Sequence, residues 1–400
     1  MTDLFWPGDH RAGTLMSDAA FLDALLDVEN AWLAILVEHG VAPASAAADL
    51  TALVRAEDME TVAAGAERDG NPVAGLVAML RSRSEADTAT WVHRGLTSQD
   101  VVDTALMMCL RDAVAMISEQ LTDQIEALTA LVRAYRDDPM LTRTLTQPAL
   151  PGTAGLKFAV WLGALLDAAD TLRGVPAPAV QAGGAAGTMA ATTELTGSVD
   201  AALELSAALA TKLALAPALP WHTSRSRFTR AGDALVTCCD SWGHIANDVS
   251  VGGRAEIGEL TEGSGGGSST MPHKSNPVLT VLLRRAALAA PPLAAALHAA
   301  SAAAVDERSD GGWHAEWAPL RTLTRHTVVA AGQATDLLTG LRFDAARASA
   351  NVAAAQGIDT EQKTMTAMAG REPGGAYLGA TRPLVDALLD RAATYVKETS

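Results

Sequence analysis

The stretch from Thr97 to about Asp138 constrains the fold more than any other part of this sequence. It contains no proline or glycine, and its apolar residues recur in steps of three and four, the spacing typical of one face of an α-helix. Those apolar residues are Leu106, Leu110, Ala113, Ile117, Leu121, Ile125, Leu128 and Val132. At ~1.5 Å per residue such a helix would be on the order of 60 Å long. Helices of this length are typical of bundles, so we expect an all-α chain.

Similar helical patterns occupy five further stretches, and no sustained alternation of period two indicates strands. The five stretches are Gly155–Gly174, Thr188–Leu215, Arg227 to about Val251, Pro277 to about Val305, and Leu320–Leu341. No G-x-G-x-x-G motif follows a strand pattern, which argues against a dinucleotide-binding domain.

Changes in composition near residues 97 and 342 predict a chain of three parts. The parts are an N-terminal helical domain (residues 1–96), a central long-helix bundle (97–341) and a short C-terminal helical domain (342–400). Non-helical connectors are expected near Pro7–His10, Asp137–Thr153, Pro176–Gly187, Pro217–Arg225, Gly252–Pro277 and Glu307–Gly312.

Charge and composition exclude several classes of partner. The net charge is −16, whereas nucleic acids and anionic membranes need basic surface, so neither is expected. This net charge does not exclude a small anionic substrate, because a pocket can hold cationic side chains. The first residues lack a signal-peptide pattern, and the three cysteines form neither a disulfide framework nor a metal-binding spacing. We therefore expect a cytoplasmic protein without a metal.

The most membrane-like run is Ala286 to Val305, which is rich in alanine and contains Pro291 and Pro292. Two adjacent prolines interrupt a helix, because each lacks an N–H group. The run is therefore predicted to be a buried bundle helix broken at the prolines rather than a membrane span.

Three polar stretches stand apart from the helical pattern: HRGLTSQD (93–100), TRTLTQPALPGT (142–153) and GSSTMPHKSNP (267–277). Thr97 with Asp100 three residues later is typical of a helix cap, although a helix start can also hold a carboxylate. Glycines precede the third stretch, and prolines stiffen its far half. On its own, this stretch fits either a surface linker or a mobile arm with a reactive tip.

The third stretch resembles the G-S-S-x-M-P-x-K-x-N-P signature of the fumarase/aspartase superfamily, without a gap. The other two stretches lie where that superfamily keeps its other signature regions, in the same order. Within the superfamily the chain is most similar to the 3-carboxy-cis,cis-muconate cycloisomerases. That similarity also includes DLFWPGDHRAG (3–13), QAGGAAGTMA (181–190), LPWHTSR (219–225) and DERSDGGWHAEW (306–317). The resemblance implies a homotetramer with a central bundle of long helices and active sites built from three subunits.

The resemblance also implies roles for individual residues in the binding of a small polycarboxylate without a cofactor. Ser268 would be the catalytic base, acting as an alkoxide whose charge is stabilised by its surroundings. Lys274 and Asn276 would hold a substrate carboxylate on which charge develops. Further substrate-binding residues would be Thr97, Ser98, Gln147, Thr144, Arg225 and Arg308, and His93 would be a second catalytic residue.

The chain departs from the lyase pattern at two positions. Superfamily lyases usually carry a histidine where this chain has Leu145, oriented by a glutamate where it has Val281. An amine leaving group needs such an acid, whereas a carboxylate departs unprotonated because its pKa is about 4. A cycloisomerase can therefore dispense with the pair. Cycloisomerases often carry a histidine where this chain has Pro148, which leaves two alternatives: Ser268 works with another donor such as His93, or the substrate differs from theirs.

The residues thus favour a cycloisomerase that converts 3-carboxy-cis,cis-muconate to 4-carboxymuconolactone in protocatechuate breakdown. A fumarate-releasing lyase with an anionic leaving group, such as nitrite from nitrosuccinate, fits the missing acid equally well. An adenylosuccinate or argininosuccinate lyase is disfavoured by Leu145 and Val281. A catalytically inactive structural relative is disfavoured by the retention of Ser268, Lys274 and Asn276.

Overall fold

A computed structural model describes residues 3–263, 266–267, 270–271 and 275–399 of the chain. Within them the protein is all-α, as the sequence predicts, with fourteen α-helices and two small two-stranded sheets. The first seven helices are α1 (Asp18–Glu38), α2 (Met59–Asp69), α3 (Pro72–Arg83), α4 (Ala86–Trp91), α5 (Ser98–Ala134), α6 (Ala154–Arg173) and α7 (Ala190–Thr196). The others are α8 (Val199–Lys212), α9 (Ser226–Gly252), α10 (Val278–Ala302), α11 (Gly311–Gly340), α12 (Ala345–Ala354), α13 (Thr360–Met368) and α14 (Thr381–Thr399). The strands are β1 (Pro139–Thr144), β2 (Gln147–Thr153), β3 (Leu260–Thr261) and β4 (Arg342–Phe343).

The predicted long helix is α5, which is 37 residues long. All eight residues of its predicted apolar stripe are buried. Its first turn is capped from within, because the Thr97 backbone N–H donates to Asp100 Oδ2 over 2.9 Å. Both the length of this helix and its capped start are therefore confirmed.

The chain forms two compact units. The first comprises Met1–Met116, Val175–Asp233 and Pro292–His326, and the second comprises Ile117–Gly174, Ala234–Pro291 and Thr327–Ser400. In the first unit α1 packs on α8, and α3 packs on both α2 and α4. In the second unit α6 packs on α14, and α12 packs on β1. The predicted domain boundaries near residues 97 and 342 stay a prediction.

A β-hairpin occupies the segment for which the sequence predicted only a connector. Strands β1 and β2 pair antiparallel, with Thr144 opposite Gln147 next to the turn. The two turn residues, Leu145 and Thr146, have φ values of 49° and 70°. Two-residue turns with both φ values positive suit a hairpin but favour Asn-Gly or a similar pair. Leu-Thr lacks that signal, which is why the hairpin was missed.

Two predicted helices have different limits in the structure. The pattern over Thr188–Leu215 forms two helices, α7 and α8, because Gly197 adopts a left-handed φ of 69° and Ser198 caps α8. The last long helix, α11, begins at Gly311 rather than Leu320 and contains Pro319. The last two residues of the predicted connector Glu307–Gly312 are therefore the first two residues of α11.

Helix α10 corrects the prediction of a buried helix broken at two prolines. Pro291 and Pro292 lie inside one continuous helix and are both exposed. A proline cannot donate the backbone hydrogen bond to the carbonyl four residues earlier. For Pro292 that carbonyl belongs to Leu288, which is 80% exposed and open to water. By length and composition α10 could cross a membrane, but a core helix of a soluble protein can have the same length and composition. Of the most apolar 18-residue stretch of α10, 28% is buried.

Candidate active site

The start of α5 is the centre of a buried polar cluster in the first unit. Asp100 is fully buried and accepts hydrogen bonds through both carboxylate oxygens. Oδ2 accepts from the Thr97 and Gly184 N–H groups, and Oδ1 accepts from the Gly183 N–H group and from His222 Nε2, all over 2.8–2.9 Å. Four donors on one carboxylate fix the backbone of Thr97 at the helix start.

Two consecutive glycines make this arrangement possible. A side chain at Gly183 would place Cβ 2.5 Å from His222 Cε1 and 2.8 Å from Pro220 Cβ, which is too close. Gly184 has a φ of 70°, a conformation that glycine adopts without strain. The glycines in QAGGAAG therefore let the backbone approach Asp100 closely enough to donate two hydrogen bonds.

A buried ion group lies one turn further along α5. Arg225 donates to Asp103 through Nη1 (2.7 Å) and Nη2 (2.8 Å), and to Glu316 through Nε (3.2 Å) and Nη2. Nη1 also donates to the His222 carbonyl, so all five N–H donors of Arg225 are engaged. Asp103 accepts three further bonds from Trp313, Gln99 and Gln181.

Burial alone would lower the pKa of Arg225, but Asp103 and Glu316 outweigh burial and raise it. Burial raises the pKa of Glu316 above its ordinary value, although Arg225 opposes the shift. The cation of Arg225 thus braces α5 against α11. Its predicted role as a substrate ligand stays a prediction, because a substrate would have to displace one of these partners.

Arg308 and Thr97, two residues for which the resemblance implies substrate binding, lie in contact with each other. Arg308 Nη1 donates to the Thr97 hydroxyl over 2.8 Å, and its guanidinium lies 5.7 Å from the centre of the Trp313 ring. Ser98, the first residue of α5, is half-buried. A cation, two hydroxyls and the positive end of a long helix dipole together form a local environment suited to a carboxylate. We call Thr97, Asp100, Asp103, His222, Arg225, Arg308 and Glu316 the helix-start cluster.

His93 lies four residues before Thr97 in an unusual backbone conformation, with a φ of 62°. Its Nδ1 lies 2.6 Å from Oε1 of Glu29, a fully buried residue of α1. Burial of the ring would lower the pKa of His93, but Glu29 outweighs burial and the pKa is raised. Glu29 was not singled out from the sequence.

The second unit holds Thr144 and Gln147 at the hairpin tip, which we define as Thr144–Gln147. Both residues are exposed, and Leu145 between them is 96% exposed. The strand behind the tip is anchored by Arg143, whose Nη1 and Nη2 each donate to the buried Glu259 over 2.9 Å. Asn351 Nδ2 donates to the same carboxylate over 2.7 Å.

The base of the signature loop, which we define as residues 266–277, is also in the second unit. Gly266 and Asn276 exchange two backbone hydrogen bonds of 2.8 and 2.7 Å, which close the loop at its neck. The buried Glu262 accepts from the N–H groups of Leu279 and Thr280 and so caps α10. A cavity of about 530 Å³ at this base is lined in part by Ser275, Asn276 and Arg254. Ser268 and Lys274 lie outside the described residues.

The described residues contain no group of three histidine, cysteine or acidic side chains placed to hold a metal ion. The three cysteines are buried, and burial raises the pKa of Cys109 and of Cys239 to about 12. Thiols so far from ionising at neutral pH are poor nucleophiles. The described chemistry therefore lies in hydroxyl, imidazole, carboxylate and guanidinium groups.

Comparison with known proteins shows the family to which this chain belongs. A sequence model described as lyase matches residues 31–290. Nitrosuccinate lyase of Streptomyces davaonensis is 41% identical over 358 residues, covering 86% of this chain and 75% of that enzyme. The 3-carboxy-cis,cis-muconate cycloisomerase of Bradyrhizobium diazoefficiens is 39% identical over 365 residues, covering 88% and 79%.

Among solved structures, the 3-carboxy-cis,cis-muconate lactonizing enzyme of Pseudomonas putida matches with a TM-score of 0.84. It is 30% identical to this chain, and the match covers 96% of this chain and 97% of that one. The sequence model, these relatives and the all-α fold define an enzyme of the fumarase/aspartase superfamily. The chain belongs to the lyase family within it.

Proposed function

We propose that this enzyme interconverts 3-carboxy-cis,cis-muconate and 4-carboxymuconolactone in protocatechuate breakdown, without a cofactor. One observation carries the proposal. At the two positions where related lyases keep an acidic histidine–glutamate pair stand Leu145 and Val281, which are 96% and 55% exposed aliphatic side chains. Neither can transfer a proton to a leaving group. The absence of this pair favours leaving groups that depart as anions.

The lactonising reaction has such a leaving group. A carboxylate oxygen of the substrate adds to one carbon of a double bond, and the neighbouring carbon takes a proton. In the reverse direction the carbon loses its proton and the carboxylate departs unprotonated, since its pKa is about 4. The lactonising direction takes up one proton from solvent through the enzyme and consumes no other reactant, and the reverse direction releases that proton.

The residues divide between proton transfer and binding of the polycarboxylate. Ser268 transfers the proton at carbon, and Lys274 and Asn276 stabilise charge that develops on the adjacent carboxylate. The helix start holds another carboxylate through Thr97, Ser98 and Arg308. The other residues proposed for the site are Gln147, Thr144, His93 and Arg225.

A second candidate is a lyase that releases fumarate and nitrite from nitrosuccinate. Pro148 favours it specifically, because cycloisomerases often carry histidine at that position, and the similarity to nitrosuccinate lyase is of the same order as that to the cycloisomerases. Nitrite also departs as an anion, so the absent acid pair is equally compatible with this reaction.

Side-by-side assays distinguish the candidates. Purified enzyme, with no metal or nucleotide added, is expected to remove the ultraviolet absorbance of the conjugated diene of 3-carboxy-cis,cis-muconate. It is expected to release no fumarate from adenylosuccinate or argininosuccinate. A flat diene signal together with release of fumarate and nitrite from nitrosuccinate would establish the second candidate. Inactivity on all four substrates would favour a structural protein instead.

We also propose that the enzyme is a homotetramer with active sites shared between subunits. The two compact units each carry part of the predicted site: Thr97 and Arg308 are in the first, and Gln147 and Asn276 are in the second. An inactive Ser268→Ala protein and an inactive Thr97→Val, Ser98→Ala protein, refolded together, are expected to regain part of the activity. Native mass spectrometry is expected to show a tetramer, and a fully active monomer would contradict the proposal.

A further inference from the structure

Glu29 is a buried carboxylate that sequence analysis did not connect with the site. It lies on α1 with no exposed side-chain surface, and its Oε1 lies 2.6 Å from His93 Nδ1. Its other oxygen, Oε2, is buried and has no hydrogen-bond partner among the described residues. An unpaired buried carboxylate is costly, so His93 is the contact that offsets the burial of this charge.

The same face of α1 holds the segment around His93 in place. Trp32, one turn after Glu29, donates from Nε1 to the Arg94 carbonyl over 2.7 Å. From α3, Arg81 Nη2 donates to the Val92 carbonyl over 2.9 Å. The positive φ of His93 is uncommon for a residue other than glycine, and surrounding contacts are what maintain such a conformation. The backbone on both sides of His93 is therefore held in place.

The contact decides which nitrogen carries a proton. An ionised carboxylate can only accept hydrogen bonds, so Nδ1 of His93 must donate to Glu29. The ring is 16% exposed, and its Nε2 has no hydrogen-bond partner within the described part of the chain. This second nitrogen is thus the one that remains for a ligand.

The charges around the ring favour a second proton on it. Glu29 and Asp100 raise the pKa of His93, whereas burial and the cation of Arg81 lower it, and the net direction is upward. Burial is the largest single effect and exceeds that of Asp100, so without Glu29 we expect the pKa to be lowered.

We propose that Glu29 is a positioning residue that fixes the ring of His93 and holds it as an imidazolium whose Nε2–H donates to a carboxylate of the substrate. The proposal rests on the proposed function, because it takes a polycarboxylate as the ligand. His93 then contributes positive charge and a hydrogen bond rather than acting as a base. Glu29 itself does not touch the substrate.

Titration of the free enzyme tests the contact without any substrate. In protein with ¹³C-labelled histidine, the His93 signal, assigned from a His93→Gln variant, is expected to titrate above pH ~6.5. In Glu29→Gln it is expected to titrate below that value. Asp27→Asn, which removes an exposed carboxylate from the same helix, is the matched control and is expected to leave the titration unchanged. An identical His93 titration in wild type and Glu29→Gln would overturn the proposal.

Kinetics then test whether the imidazolium is used. Glu29→Gln is expected to lower kcat/KM at pH 7.5 by roughly 10- to 100-fold, mostly through KM, because a hydrogen bond to a charged group is lost. Lowering the pH toward 6 is expected to recover part of this loss as the ring regains its proton, which a purely structural defect would not do. A shifted titration with an unchanged pH profile of kcat/KM would refute the substrate contact.

Two controls distinguish misfolding of the variant, and a wrong choice of substrate, from a failure of the proposal itself. If Glu29→Gln does not fold by circular dichroism, Glu29→Asp retains the charge at a longer reach and is expected to give an intermediate His93 titration. If the wild type turns over none of the tested substrates, the proposed function fails, whereas the titration still decides the role of Glu29.

Discussion

The helix-start cluster and the hairpin tip both carry predicted site residues, yet they are built in opposite ways. In the cluster, the side chains of Arg225 and Asp103 are 2% and 0% exposed and are joined to each other by two hydrogen bonds. At the tip, Leu145 is 96% exposed, and Thr144 and Gln147 are exposed beside it. The polar groups of the helix-start cluster find their partners within the first unit, whereas the side chains of the hairpin tip are exposed.

This difference predicts how the two regions respond to substitution. Buried charges that satisfy one another cannot be changed without leaving a partner unpaired, so the cluster determines stability as well as ligand binding. Exposed residues at a turn contribute little to the free energy of unfolding. Variants at the tip should therefore report on catalysis alone.

The largest effect is expected in the signature loop, from Ser268→Ala. Loss of a group that transfers a proton at carbon should reduce kcat by about 10²- to 10⁴-fold or more. The circular dichroism spectrum and Tm are expected to stay close to those of the wild type. Ser269→Ala is the matched control and should reduce activity less. Equal and small losses from both variants would remove Ser268 from the mechanism.

A large effect on stability is expected within the cluster, from Asp103→Asn. Among the described residues, Asp103 accepts five hydrogen bonds, two of them from Arg225, whereas Glu316 accepts hydrogen bonds from Arg225 alone. Removing one member of a buried ion pair costs about 3–5 kcal/mol, so Asp103→Asn should lower Tm strongly. Glu316→Gln should cost less, because burial raises the pKa of Glu316 and its charge therefore contributes less, and because the new amide N–H₂ group meets one donor residue rather than several. Equal losses of Tm in the two variants would show that Asp103 and Glu316 contribute equally to stability, which would contradict this prediction.

The pH dependence of Glu316→Gln gives a second measure of this ion group. Because burial raises the folded-state pKa of Glu316, the folded state binds its proton more tightly than the unfolded state does. Wild-type stability should therefore fall as pH rises from about 4.3 toward the raised value, and glutamine should remove that fall. Urea unfolding at pH 5 and pH 8 measures it, and a variant with the wild-type pH slope would contradict the assignment.

A moderate effect, on binding rather than folding, is expected where the cluster meets solvent. Arg308 is exposed although its guanidinium holds the Thr97 hydroxyl. Arg308→Ala and Thr97→Val are each expected to raise KM by roughly 10- to 100-fold, the loss of one charge-assisted hydrogen bond. Arg55→Ala, which removes a 77% exposed arginine from the same unit, is the control and should leave KM unchanged. A fall in kcat at constant KM would place Arg308 outside carboxylate binding.

The sequence predicts the parts of this molecule that depend on local pattern. The length of α5 follows from its apolar spacing, and its start follows from Thr97 and Asp100. What depends on tertiary contacts was missed: Leu145 and Thr146 form a hairpin turn without glycine or asparagine, and Pro291 and Pro292 stay helical.

For Glu29, the sequence did contain a signal that this residue has a buried partner. It occupies a position on α1 at which the helical spacing of Leu22, Leu26, Leu33 and Leu36 places apolar residues. A carboxylate on such a face needs a partner, because an unpaired buried charge is costly. Its partner, His93, is 64 residues away, and that distance in sequence hides the pair.

The smallest effect is expected at the hairpin tip, from Leu145→His. Histidine tolerates a positive φ better than leucine, and the position is 96% exposed, so stability should change by no more than about 0.5 kcal/mol. The new imidazole would have no carboxylate to orient it, because Val281 remains. Lactonisation needs no acid for its leaving group, so kcat/KM for the diene substrate should be unchanged in the single variant. The double variant Leu145→His, Val281→Glu supplies both members of the pair and is likewise expected to leave lactonisation unimproved. Faster loss of diene absorbance in either variant would mean that the wild-type site lacks a proton donor that the reaction requires, and the proposed chemistry would then be wrong.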